Sequence, residues 1–114
     1  MRYLLLFIIF NLNCAYGANV GLTFFSNRKV LTYPTEKEKK DPTLTIVVEN
    51  KLLTQLMLQV IDGNDDLIGN LVVMAGRANH LIIKNNHAKL FIRPIQPSSE
   101  KIPVSFNGSK IEIP

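Results

Sequence analysis

The chain is nearly free of cysteine and has no tryptophan. Cys14 is the single thiol among its 114 residues, and His80 and His87 are its two histidines. One thiol cannot form an internal disulfide, so a small domain held together by its own disulfides is excluded. The scarcity of thiols and imidazoles also leaves few ligands for a zinc-type site. A domain built from this chain must be stabilised by its apolar core.

Long apolar runs are absent as well. The longest covers residues 4–10, whereas a membrane-spanning helix needs about 20 apolar residues. A basic start, a short apolar core and the small residues of Ala15-Tyr16-Gly17 are instead typical of a secretory signal peptide. We therefore predict a signal peptide at residues 1–17, cleaved before Ala18, and a periplasmic or secreted domain at residues 18–114 with no membrane span.

Cys14 leaves one alternative open, in which it is the acylation site of a lipoprotein. Such a site requires a leucine three residues upstream and small residues between, whereas Asn11-Leu12-Asn13 stand here. Cleavage before Ala18 removes Cys14 and leaves a mature chain without cysteine. A cysteine-free exported domain fits a bacterial periplasm better than an animal extracellular space, where small domains usually carry disulfides.

Charge of one sign is not in large excess. Without Arg2, which lies in the predicted signal peptide, 12 basic side chains remain beside 9 acidic ones, a net charge of +3. Nucleic-acid-binding domains usually show a denser, clustered basic excess, so we predict no nucleic-acid partner. The one charged run lies within residues 35–42 and mixes both signs, which indicates an exposed loop.

Apolar residues recur at the period of two that is typical of β-strands. Turn residues such as Asn107-Gly108 separate the short strands, and this pair is expected to close the last hairpin. No segment carries an apolar stripe at the helical period. Short strands about ten residues apart, with turns between, predict an all-β fold. We predict an immunoglobulin-like antiparallel β-sandwich of about seven strands.

The same alternation predicts which side chains fill the core. Met57, Gln59 and Ile61 are expected on the outer face of their strand, opposite Leu58 and its neighbours. The predicted core residues are Leu44, Ile46, Val48, Leu58, Val60, Ile83, Phe91 and Val104.

Residues that could support catalysis are few. A nucleophile needs a hydroxyl or thiol beside a base, and no serine here lies in such a motif, so we predict that the protein is not an enzyme. The acidic turn at residues 62–66 lacks the twelve-residue pattern of a calcium loop. One alternative is a small periplasmic copper-binding protein, although strand packing explains the methionines without a metal, and we predict no cofactor. The soft ligands of that alternative are Met57, Met74, His80 and His87.

The order of several short motifs resembles a known family. A stretch similar to an arginine followed by Val-x-Tyr-Pro occurs in Arg28-Lys29-Val30-Leu31-Thr32-Tyr33-Pro34, and a strand ending in Val-x-Asn occurs in Val48-Glu49-Asn50. Leu56-Met57-Leu58-Gln59 and the stretch from Ala75-Gly76 to Leu81-Ile82-Ile83 follow in the same order. Over most of the mature chain this sequence resembles the first immunoglobulin-like domain of periplasmic pilus-assembly chaperones.

The resemblance implies a non-enzymatic exported domain that binds another protein of the bacterial envelope, such as a pilus or secretion subunit, through an edge strand. It implies that Arg28 binds the terminal carboxylate of the partner, for which a guanidinium provides two parallel hydrogen bonds. It also implies that Ile102, Val104 and Phe106 are the alternating residues of a strand that pairs with the partner. A structural subunit of an envelope or secretion assembly is the second alternative.

Overall fold

The computed structural model describes residues 17–114, which form nine β-strands and one short 3-10 helix, Glu36–Lys40. No helix in this part of the chain is long and apolar enough to cross a membrane. The predictions for residues 1–16, including Cys14, lie outside the described residues. The strands are β1 (Ala18–Phe24), β2 (Lys29–Thr32), β3 (Thr43–Asn50), β4 (Leu56–Asp62), β5 (Leu67–Val73), β6 (Ala78–Lys84), β7 (Leu90–Gln96), β8 (Ile102–Pro103) and β9 (Lys110–Ile113).

The strands form two packed sheets, which confirms the prediction of an all-β sandwich. Sheet 1 has the order β6-β3-β1-β2-β9, and sheet 2 has the order β5-β4-β7-β8. The structure differs from the prediction in two details: residues 17–114 contain nine strands, and β1 runs parallel to β3 although the other strand pairs are antiparallel. The β1–β2 hairpin inserts β1 beside β3, and an alternating pattern carries no information about strand direction.

The core between the sheets consists of the inward rows of both. Six of the eight predicted core residues are buried: Leu44, Ile46, Val48, Leu58, Val60 and Ile83. Val104 is half-buried and packs at the margin of the core. The prediction for Phe91 is wrong, because its neighbours Leu90 and Ile92 are the buried ones. In a run where three consecutive residues are apolar, the pattern leaves the phase open by one residue.

The outer face of sheet 2 carries a small apolar cluster of its own. Phe91 lies there beside Ile61, its partner across β7 and β4, and the Nζ atom of Lys101 stands 4.6 Å from the centre of the Phe91 ring. Lys101 also forms an ion pair with Asp65, with 3.2 Å between Nζ and Oδ1. Ile61 is on the predicted outer face of β4 but is fully buried.

The predicted last hairpin does not form. Asn107-Gly108 is a turn, with Gly108 at a φ of 70° that favours glycine. The strands on either side of it lie in different sheets, however, since β8 pairs with β7 and β9 pairs with β2. The chain crosses from sheet 2 to sheet 1 between Pro103 and Lys110, and this crossing makes β9 an edge strand.

Candidate functional site

The edge strands are where a sandwich can bind another chain, because their outward backbone groups have no partner within the sheet. The edges are β6 and β9 in sheet 1, and β5 and β8 in sheet 2.

The β5/β6 side of the sandwich is held by Asn79. Its Nδ2 donates to the carbonyl of Val72 on β5 at 3.0 Å, and its Oδ1 accepts from the N–H of His80 on β6 at 2.9 Å. The side chain of Leu81 also packs against Gly69 of β5, where a Cβ would stand 2.7 Å from Leu81 Cδ2. Asn79 therefore occupies one polar group of each edge, and the two edges are packed together.

The β8 edge is closed by a different device. Pro103 has no N–H to offer, and its carbonyl accepts a hydrogen bond from the Tyr33 hydroxyl at 2.7 Å. Burial raises the pKa of Tyr33, which keeps the phenol protonated as a donor. β8 is also only two residues long, so it offers little to a strand from another chain.

The β9 edge stays open. The Tyr33 N–H donates to the carbonyl of Ser109, and because hydrogen-bonded pairs alternate along an antiparallel ladder, Ile111 and Ile113 direct their backbone groups toward β2. Lys110 and Glu112 direct theirs outward. Among residues 17–114, no hydrogen bond reaches the outward groups of these two residues. β9 is thus a short, uncovered edge with alternating charged and apolar side chains.

A groove of about 240 Å³ lies at one end of the sandwich, and Arg28 lines it. The four-residue loop from β1 to β2 is closed by a hydrogen bond from the Phe25 N–H to the Arg28 carbonyl at 2.8 Å. Loops from three parts of the chain and the last residue complete the walls: Phe24, Phe25, Ser26, Asn27, Lys29, Leu52, Pro97, Ser98, Ser99 and Pro114. The groove combines two cations, three hydroxyls from Ser26, Ser98 and Ser99, and apolar surface.

The guanidinium of Arg28 is held loosely. Its centre stands 4.2 Å above the Phe25 ring, Nη1 donates to Asn27 Oδ1 at 3.1 Å, and Nε lies 3.8 Å from Glu112 Oε1. The side chains of Arg28 and Glu112 are 40% and 67% exposed, so water screens this ion pair and it contributes about 0–1 kcal/mol. A carboxylate that displaced Glu112 would meet a guanidinium already oriented by the aromatic ring.

Of the other predicted partner-binding residues, Ile102 lies in β8, and Val104 and Phe106 lie on the crossing from β8 to β9. Ile102 is buried in β8, whereas Val104 and Phe106 are half-buried. Val104 and Phe106 also line a second cavity of about 520 Å³, together with Lys39 and His87. All three of the predicted residues thus fill or border this chain's own core, and the structure does not bring them together with Arg28.

The four soft ligands of the copper alternative do not converge. His80 lies on the outer face of sheet 1, opposite Val47, and Met57 lies on the outer face of sheet 2, opposite Val72. Met74 is the first residue after β5, and His87 borders the second cavity. Residues 17–114 also contain no cluster of three histidine, cysteine or acidic side chains that could hold a metal ion.

Several site residues could not be predicted from the sequence. Leu52 and Ser98 line the groove with Arg28 but come from two other loops, distant from it in the chain. Asn79 gave no signal, because an asparagine in a strand pattern has no recognisable motif. Comparison with protein-family models, with curated proteins and with solved structures finds no match for this chain.

Proposed function

We propose that this chain is an exported, non-enzymatic domain that binds another protein of the bacterial envelope, such as a pilus or secretion subunit, by adding a partner strand to β9. The observation that carries the proposal is the position of the uncovered β9 edge directly beside the Arg28 groove. Ile113, near the end of β9, pairs with Lys29, which follows Arg28 in the chain. A strand laid along β9 therefore ends at this groove.

The direction of the partner strand follows from this geometry. β9 runs from Lys110 toward Ile113, so its last residues are the ones near Arg28. A strand that runs parallel to β9 brings its carboxyl end to the groove, whereas an antiparallel strand brings its amino end. Recognition of a terminal carboxylate by Arg28 therefore requires parallel addition.

The start of such a strand would lie beside the crossing that leads into β9. Val104 and Phe106 present half-buried apolar surface there, at the second cavity. An apolar side chain at the start of the partner strand would cover them, and the carboxylate at its end would meet Arg28. The exposed Lys110 and Glu112 would select polar partner residues between these two ends.

The test of the backbone pairing is a proline at the outward position of the edge. Glu112→Pro removes an N–H that faces away from β2, so the β2–β9 pairing keeps its hydrogen bonds while strand addition loses one. Crosslinking in the periplasm identifies the bound partner, and capture is then compared with Glu112→Ala. Lys84→Pro, at an outward position of β6, is the matched control. Unchanged capture by Glu112→Pro would overturn pairing at β9.

The test of the carboxylate anchor uses Arg28→Ala and Arg28→Lys, with the exposed Arg77→Ala as control. We expect both Arg28 variants to bind the captured partner at least about tenfold more weakly, since lysine cannot reproduce the planar fork. Amidation of the partner's last residue should have the same effect. Wild-type affinity in both variants, or indifference to amidation, would remove Arg28 from the binding site.

A further inference from the structure

The sequence of the β9 edge is complementary to itself. It reads Lys110-Ile111-Glu112-Ile113, with a basic and an acidic residue on either side of Ile111. Lys110 and Glu112 are the residues whose backbone groups face outward, and in the ladder with β2 their partners are Thr32 and Val30 on the outer face of sheet 1.

A two-fold antiparallel pairing centred on Ile111 satisfies both the backbone and the charges. In that register Lys110 stands opposite Glu112 of the second copy, and Glu112 stands opposite Lys110 of the second copy. Both are hydrogen-bonded positions, so two residues from each chain exchange four backbone hydrogen bonds. Opposite charges directly across an antiparallel pair are stabilising.

We propose that a second copy of this chain binds along β9 and joins the two five-stranded sheets into one continuous sheet of ten strands. Ile111, at the centre, is 37% exposed in the single chain. It would meet its own copy at a position without backbone hydrogen bonds, where Cα atoms approach to about 4.5 Å and side chains are in contact. The pairing covers an exposed apolar residue as well as the edge.

The other edge of sheet 1 lacks this complementarity. The hydrogen bond from the Asn85 N–H to the Pro42 carbonyl fixes which residues of β6 direct their backbone groups toward β3. The outward residues are therefore Ala78, His80, Ile82 and Lys84. A two-fold pairing centred on Leu81 puts His80 opposite Ile82, and one centred on Ile82 puts His80 opposite Lys84. Neither register places opposite charges together, and the His80 N–H is already bonded to Asn79.

The dimer is expected to be weak, because only four residues of each chain pair. Stable interfaces bury about 1,200–2,000 Å², and an edge pairing of this length falls below that range. We expect a dissociation constant on the order of 0.1–1 mM. The inference uses the same edge as the proposed function but does not depend on it, since it concerns the purified protein alone.

The experiment is sedimentation of the purified protein between about 10 µM and about 1 mM, with charge reversals in β9. Lys110→Glu and Glu112→Lys each put two like-charge pairs into the dimer and should each weaken it at least about tenfold. An equal mixture of the two variants restores every opposite pair, so the mixture should associate as wild type does. This recovery also shows that both variants fold. Lys84→Glu, the same change on β6, should leave the dimer unaltered.

Wild-type dimerisation in either single variant, or no recovery in the mixture, would overturn the self-pairing. A wild-type protein that stays monomeric up to 1 mM would do so as well. Partner capture is a separate readout: a monomeric protein that still captures its partner through β9 rejects this inference and retains the proposed function. The reverse result, a charge-dependent dimer with capture indifferent to Glu112→Pro, rejects the proposed function alone.

Discussion

The two sides of the sandwich treat their exposed edges differently. On one side, β5 and β6 pack together, and the Asn79 side chain bonds to both of them. On the other side, β8 is closed by Pro103 and Tyr33, while β9 keeps the outward groups of Lys110 and Glu112 unoccupied among the described residues. On β6, however, the outward groups of Ile82 and Lys84 also have no hydrogen bond among the described residues, so it is the Arg28 groove at its end that makes β9 the edge expected to bind.

The difference also indicates how each edge avoids pairing with unrelated strands. β6 is seven residues long and carries Ile82 at 58% exposure, which makes it the more dangerous edge, and Asn79 occupies part of its backbone. β9 has four residues and two charges, so only a strand with complementary charges pairs well with it. Asn79 and the packing against β5 obstruct strand pairing at part of β6, whereas the need for complementary charges restricts strand pairing at β9.

The largest expected effect is a loss of stability in sheet 1, which carries the β6 and β9 edges. Ile46, 1% exposed at the centre of β3, cannot be replaced by aspartate without burying an unpaired charge. Ile46→Asp should lower the free energy of unfolding by more than about 3 kcal/mol. Glu49→Lys, on the exposed face of the same strand, should change it by less than about 0.5 kcal/mol. Urea denaturation measures both, and a well-folded Ile46→Asp variant would contradict the placement of the core.

The next largest expected effect comes from Asn50, the buried residue at the end of β3 that bonds to β5. Asn50 is 1% exposed, and its Nδ2 donates to the carbonyls of Thr54 and Val73, each at 2.9 Å, while its Oδ1 accepts from the Leu52 N–H. Asn50→Leu leaves these groups without their partner and should cost about 2–3 kcal/mol. Gln55→Leu, in the exposed part of the same loop, is the control for thermal unfolding. Equal stability of the two variants would show that the Asn50 bonds are dispensable.

A smaller effect concerns the closed β8 edge. Tyr33→Phe removes the hydrogen bond to the Pro103 carbonyl and should cost about 1 kcal/mol at pH 7. Because the pKa of Tyr33 is raised in the folded chain above its ordinary 10.0, the folded state holds the proton more tightly. The stabilisation is complete below pH 10.0 and is lost as the pH rises through the raised pKa. Stability measured against pH should show wild type and variant converging in alkali, and a constant gap would refute this.

The last of these effects, a small change in stability, comes from removing the Asn79 side chain at the β6 edge. Asn79→Leu removes two exposed hydrogen bonds and should cost about 0.5–1 kcal/mol. It also frees the His80 N–H and the Val72 carbonyl, so the variant should aggregate more readily than wild type in light scattering at raised concentration. Asn86→Leu, at an exposed loop position, is the matched control. If the Asn79→Leu protein aggregates no more than wild type, Asn79 does not protect the β6 edge from pairing.

The alternating pattern was sufficient to predict the sandwich and most of its core. In β3, polar or outward residues separate Leu44, Ile46 and Val48, so only one phase buries an apolar row. In β7 the sequence Leu90-Phe91-Ile92 is apolar throughout, so alternation alone does not decide which of the three residues face the core, and the prediction for Phe91 is wrong. The pattern therefore works where polar residues mark the outer face.

Which strands are neighbours could not be predicted. Asn107-Gly108 is the turn expected for a hairpin, yet the strands on either side of it join different sheets. Turn chemistry depends on four consecutive residues, whereas the crossing depends on packing against Tyr33 and β2. The sequence indicated Arg28 as a candidate anchor, but the groove around it unites loops distant in the chain, and the open edge follows from that same crossing.

The most direct measurement is amide hydrogen exchange, residue by residue, in dilute monomeric protein. Our account predicts that the His80 N–H, bonded to Asn79 Oδ1, exchanges at least about tenfold more slowly than a free amide, whereas the N–H groups of Lys110 and Glu112 exchange as free amides. In Asn79→Leu the protection of His80 should disappear. Protected Lys110 and Glu112 in the monomer, with His80 unprotected, would contradict the claim that the β9 edge is open and that Asn79 blocks part of the β6 edge.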